Sequence, residues 1–149
     1  MKISHVPVLA ASAVSFAVCL LAPPASAASP CQLVTSAQID SAVGASVGAG
    51  QPIGNTGCQW LAGTPNLRVS ITIMDAANWA MTKTPLPNIT KTPAPGLGDD
   101  AFYTVVQTAS SLSVKKGNSY IVVRVYGIVD VPKQEAAEKT IALDALPNF

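Results

Sequence analysis

The sequence predicts an α+β domain: an antiparallel sheet of about five strands with helices packed on one face, in the order α-β-β-α-β-β-β-α. Two stretches, residues 67–74 and 112–126, alternate apolar and polar side chains with the period of two that a half-buried strand requires. Each has turn-forming residues beside it, which turns two strands into a hairpin. Amphipathic helical segments with recognisable caps open and close the domain.

The first helix starts at Thr35-Ser-Ala-Gln38, where a threonine hydroxyl and a glutamine three residues on have capping-box spacing. Ile39, Ala42 and Val43 give it one apolar side, and Gly44 suits the left-handed stop. Residues 45–56 are small and glycine-rich and read as a connector. Within them Gly48-Ala-Gly50-Gln-Pro-Ile-Gly54 is only faintly like a nucleotide-binding glycine loop. Its spacing is off by one, a proline interrupts it, and no strand precedes it.

Gly57-Cys-Gln-Trp-Leu61 reads as a strand and Gly63-Thr-Pro-Asn66 as a turn, so the alternating residues 67–74 complete a hairpin. Trp60 is read as a packing residue. Asp75 can cap a short helix over 76–82. Pro85, Pro87, Pro93 and Pro95 then exclude the middle of a sheet, which makes 83–98 an irregular surface crossover linking the two halves. Asn88-Ile-Thr90 is a formal glycosylation sequon, meaningful only in a eukaryotic source.

A third strand region over 101–106 leads into the hairpin that occupies the sheet centre. Lys116-Gly-Asn-Ser119 supplies its turn. Its return strand carries four valine or isoleucine residues and two tyrosines, types that suit a pleated surface. Ile121, Val123 and Val125 should face the core. Tyr120, Val122, Arg124 and Tyr126 should meet water or a partner. Asp130 and Pro132 then open a helix over 133–146. Its early Glu135 and Glu138 suit the helix dipole, and its buried stripe is expected to be Ala136, Ala137, Thr140, Ile141 and Leu143.

The beginning of the chain has the marks of an export signal. Lys2 precedes an uncharged apolar run from Val6 to Ala22, Pro23-Pro24 breaks it, and Ala25-Ser-Ala27 fits a cleavage site. Residues 1–27 are therefore expected to be a cleavable signal peptide and 28–149 one domain, with no membrane-spanning segment after cleavage. Neither Cys19 nor Cys31 follows the small residue that a lipid-anchor site requires. The expected location is secreted, periplasmic or cell envelope.

Cleavage would leave two cysteines, Cys31 and Cys58, and an oxidising compartment makes their disulfide the natural outcome. Closing that loop stabilises a fold by ~3 kcal/mol on the chain-entropy view. Cleavage also removes Lys2 and the sole histidine, His5, leaving eight basic and eight acidic residues and no net charge. No basic tract remains for nucleic acid. Without imidazole there is no histidine-based triad and no histidine-ligated zinc, and paired cysteines offer no thiolate. No catalytic residue, metal site or cofactor is expected.

Pro30-Cys-Gln-Leu-Val-Thr-Ser, Cys58-Gln-Trp60, Gly96-Leu-Gly-Asp-Asp-Ala-Phe102 and Leu112-Ser-Val-Lys-Lys-Gly117 form a pattern over nearly all of residues 28–149. It resembles small secreted and lipid-anchored domains of unknown function common in actinobacteria, themselves similar to extracellular sensor domains of mycobacterial receptor kinases. The resemblance implies an exported, non-enzymatic α+β domain with an N-terminal disulfide. It brings no ligand and no catalytic residues.

Two constellations invite a functional reading. Asp99-Asp100 is the only adjacent acidic pair; following Gly96-Leu-Gly98, it reads first as turn chemistry rather than as a calcium or acid–base site. Arg68, Tyr120, Arg124 and Tyr126 share one sheet face and belong to residue types favoured in interface hot spots. The sequence thus points to a binding or sensor-type domain for a protein, an envelope component or a small apolar ligand. A protein inhibitor or immunity-type factor, and a hydrolase working with carboxylates alone, are the alternatives.

Overall fold

A computed structural model describes residues 29–64 and 66–149. The expected signal peptide lies outside the described residues. Helix α1, Ser36–Val43, begins at the expected capping box. The Gln38 backbone N–H donates to Thr35 Oγ1 at 3.3 Å, and the Thr35 N–H donates to Gln38 Oε1 at 2.8 Å. Gly44 ends it at φ 70°, donating its N–H to the Asp40 carbonyl.

The strands form two antiparallel meanders. The first contains β1 (Gln51–Ile53), β2 (Gly57–Leu61) and β3 (Arg68–Asp75). The second contains β4 (Thr90–Pro93), β5 (Asp100–Val106), β6 (Ala109–Lys116) and β7 (Ser119–Tyr126). They join through β3 and β7 into one sheet of order β1-β2-β3-β7-β6-β5-β4. The α+β class and the antiparallel sheet are as expected, with β7 at the sheet centre, but there are seven strands rather than about five, and the order is α-β-β-β-α-β-β-β-β-α rather than α-β-β-α-β-β-β-α.

The two additional strands are the edges. Each is short, carries a proline (Pro52, Pro93) and lacks apolar alternation, so its sequence resembles a loop. The β6–β7 turn is the two residues Gly117-Asn118, with Gly117 at φ 61°. Gly50 has a packing reason instead of a phosphate-binding one. A Cβ there would come within 2.9 Å of both Cys58 Sγ and Trp60 Nε1.

One face of the sheet is sealed. Cys58 and Trp60 from β2, Val69 and Ile71 from β3, Leu112 and Val114 from β6, and Ile121, Val123 and Val125 from β7 are buried together. Leu33, Ile39 and helix α3 (Val131–Ala145) cover them. The Cys31–Cys58 disulfide ties the N-terminal 3-10 turn, Pro30–Gln32, to β2. At the other end Asn148 Nδ2 donates to the Leu33 carbonyl at 3.0 Å.

Helix α3 begins at Asp130, whose carboxylate accepts from the Lys133 N–H at 2.9 Å. Its buried residues differ from the expected stripe. They are Gln134, Ala137, Glu138, Ile141, Ala142 and Ala145, whereas Leu143 is 49% exposed. Helical spacing is kept, but two of the buried positions are polar.

Gln134 and Glu138 fill a slit in the sheet. The β6–β7 ladder stops at Leu112↔Val123, although β6 goes on pairing with β5 and β7 with β3. The Gln134 amide bridges the gap, accepting from the Ser110 N–H at 2.9 Å and donating to the Val125 carbonyl at 3.1 Å. Glu138 accepts from Ser110 Oγ at 2.9 Å and from the Val125 N–H at 3.3 Å. Two helix side chains thus replace missing rungs, which is why neither is left buried and unsatisfied.

The chain leaves β3 and must reach β4 at the far edge of the sheet. It crosses the opposite face through a 3-10 turn, Ala76–Asn78, capped by Asp75, and the short helix α2, Trp79–Thr82. Helical structure therefore lies on both faces, not on one. Trp79 seats this crossover on Phe102 and Tyr120, with ring centroids 5.2 and 5.1 Å away.

Candidate functional site

The register of β3 against β7 puts alternate residues on the uncovered face: Arg68 opposite Tyr126, Ser70 opposite Arg124, Thr72 opposite Val122 and Met74 opposite Tyr120. All four residues singled out from sequence therefore share one strand pair and one face. Their environments differ. The Arg68 guanidinium stacks 4.3 Å above the Tyr126 ring. Arg124 is exposed, and among the described residues no hydrogen bond or ion pair engages its guanidinium. Tyr120 is only 6% exposed because Trp79 lies over it, so it is a floor residue rather than a solvent-facing one. Val122 is covered in the same cluster.

The crossover converts this half of the flat face into a groove of about 320 Å³. Its floor contains Phe102, Tyr120 and Val122, with Ser111 and Ser113 from β6. Leu86 and Ile89 of the crossover form a wall, while Met74 and Arg124 stand at the rim. No acidic residue lines it. A wider depression of about 560 Å³ lies at the Arg68–Tyr126 end, walled mainly by the β2–β3 turn.

The crossover is held by charge and hydrogen bonding. Asp100 accepts from the Trp79 indole N–H and from Lys83 Nζ, both at 2.8 Å. The Lys83 ammonium, then the Trp79 N–H, hold its carboxyl below the usual carboxylate range. Lys91 donates to the carbonyls of Thr82 and Thr84, closing the end of α2. Two of the three Lys91 donors are thereby committed to structure, whereas no hydrogen bond among the described residues engages the Arg124 guanidinium.

The adjacent aspartates diverge. Asp99 accepts the Gly117 N–H at 2.7 Å and secures the β6–β7 turn, while Asp100 faces the crossover. Burial pushes the Glu138 carboxyl up to about 7, opposed by its hydrogen bonds from Ser110 and Val125. It plugs the slit on the helix-covered side and lines neither the groove nor the wider depression. Among the described residues no group of three or more His, Cys, Asp or Glu is placed to hold a metal ion.

Sequence reading missed Met74, Phe102, Leu86 and Ile89 as parts of one site. The alternation of residues 67–74 already placed Met74 on the face of Arg68. Nothing local showed that the crossover would raise a wall beside it. The fold and site together define an antiparallel α+β domain with one helix-sealed sheet face and one grooved, cationic face. No known protein-family model, curated protein or solved structure matches the chain.

Proposed function

We propose that this protein is an exported, non-enzymatic binding domain whose recognition surface is the grooved face of its sheet. The observation that carries the reading is the makeup of that face. Aromatic, methionine and arginine side chains surround a concavity without carboxylates, the residue types enriched where proteins bind partners. Its carboxylates at Asp99, Asp100 and Glu138 are engaged in turn, crossover and slit, which argues against a two-acid hydrolase. The Cys31–Cys58 disulfide is consistent with an oxidising compartment, and the signal-like start of the chain supplies a route there. The resemblance to secreted actinobacterial domains points the same way.

Immobilised protein should retain a component of the host's envelope fraction, and Arg124→Glu or Met74→Asp should abolish that retention without shifting the thermal midpoint appreciably. Retention undiminished in both variants would remove the grooved face as the recognition surface.

A further inference from the structure

Resting on that reading of the face, we propose that the groove takes a single-chain amphiphile with one anionic head, a medium-chain fatty-acid carboxylate. Its head would lie at Arg124 and its chain would run along Val122 and Phe102 toward Met74 and Tyr120. Polarity changes in that direction. At the Arg124 end the guanidinium has Ser70 as its cross-strand neighbour, and Ser111 lines the same groove. A guanidinium among hydroxyls is a donor set for a carboxylate. Beyond it apolar side chains increase, with Val122 and Phe102 on either side of Ser113 and then Met74 at the far rim, although the Lys91 ammonium lies 5.8 Å over the Phe102 ring.

Charge and size narrow the choice. The lining holds two cations and no carboxylate, so it favours an anion; Lys91 spends two donors on the Thr82 and Thr84 carbonyls, which leaves the Arg124 guanidinium as the one free fork for a single carboxylate head. From Arg124 to Tyr120 the strand advances four residues, about 13 Å at the rise of an extended chain. A volume of about 320 Å³ falls at the small end of ligand sites. Burying methylenes against Met74 and Leu86, which are 45% and 53% exposed beside the already covered floor of Tyr120, Val122 and Phe102, supplies affinity, and the guanidinium fixes the direction of the chain.

The test is titration of the protein with dodecanoate below its micelle concentration, followed by calorimetry and by tryptophan fluorescence, since Trp79 adjoins the floor. Saturable one-to-one binding is expected, weakened about tenfold by Arg124→Ala and partly restored by Arg124→Lys. Hexanoate and dodecyltrimethylammonium should both bind much more weakly than dodecanoate. Dodecanoate that fails to bind, binds Arg124→Ala equally well, or is matched by the trimethylammonium overturns the proposal. So does an envelope protein that the open-face substitutions release but dodecanoate does not displace; that outcome would leave the recognition face standing with a different occupant. If the substitutions leave envelope retention intact as well, both readings fall.

Discussion

On the face covered by α1 and α3, Val69, Ile71, Leu112, Ile121 and Val123 are completely buried. One residue out of step along the same strands, Arg68, Ser70, Met74 and Arg124 remain open to water or partly so. Both sets belong to the same backbone, so strand geometry cannot explain the difference; what covers each face does. Two helices and a disulfide seal the first. A single crossover, held by Trp79, Asp100 and Lys91, covers only part of the second. Burial is therefore concentrated on one side, and the other is buried only around Trp79, Phe102, Tyr120 and Val122.

The largest effect that tests this contrast comes from its two tryptophans. Trp60→Ala should lower unfolding free energy by about 4 kcal/mol, because it empties a site walled by strands and disulfide. Trp79→Ala should lose about 2 kcal/mol, because water can enter the space it leaves. Denaturant titration of both variants decides; equal losses would mean that the two faces are equally structural.

An intermediate effect concerns pH. Glu138 has a folded pKa raised from 4.5 to about 7, so the folded state holds its proton more tightly than the unfolded chain. Its contribution is fully present below about pH 4.5 and is lost as pH rises through 7. The groups that face it electrostatically are Glu135, which adds to the rise, and Arg124, which opposes it. The protein should be more stable at pH 5 than at pH 8, by up to about 3 kcal/mol. Glu138→Gln should flatten that dependence while keeping an acceptor for Val125. An unchanged pH profile of the melting midpoint in this variant would assign the dependence to other groups.

The smallest expected effect is the sharpest check on the open face. Arg124→Ala should change the unfolding free energy by no more than about 0.5 kcal/mol, since no described residue pairs with the guanidinium. A loss of several times that size would make Arg124 a structural residue and weaken the case for a binding role.

Much of the sealed side was legible in the sequence. The Thr35–Gln38 capping box, the alternation along β3, the central hairpin and the Cys31–Cys58 pairing all leave local marks. The edge strands were not legible, because exposed residues with a proline among them carry no period. By sequence alone Glu138 suits the dipole of its helix. Its actual surroundings depend on where two distant strands part, which helical spacing does not encode. Tyr120 differs from its expectation for the same reason: its own strand points it outward, and a crossover arriving from β3 covers it. The groove is the product of that crossing, so its parts could be named separately but not assembled.

One topological detail bears on how the molecule forms. Every pairing in the sheet joins strands consecutive in sequence except β3 with β7, whose partners run from Arg68↔Tyr126 to Asp75↔Ser119. The two meanders can each zip from a nearby turn, whereas this seam has to close a long loop and is entropically the slow step. Until it closes, both halves present a bare, valine- and isoleucine-rich border able to pair with another chain, so crowded or concentrated refolding exposes the protein most at its own centre line.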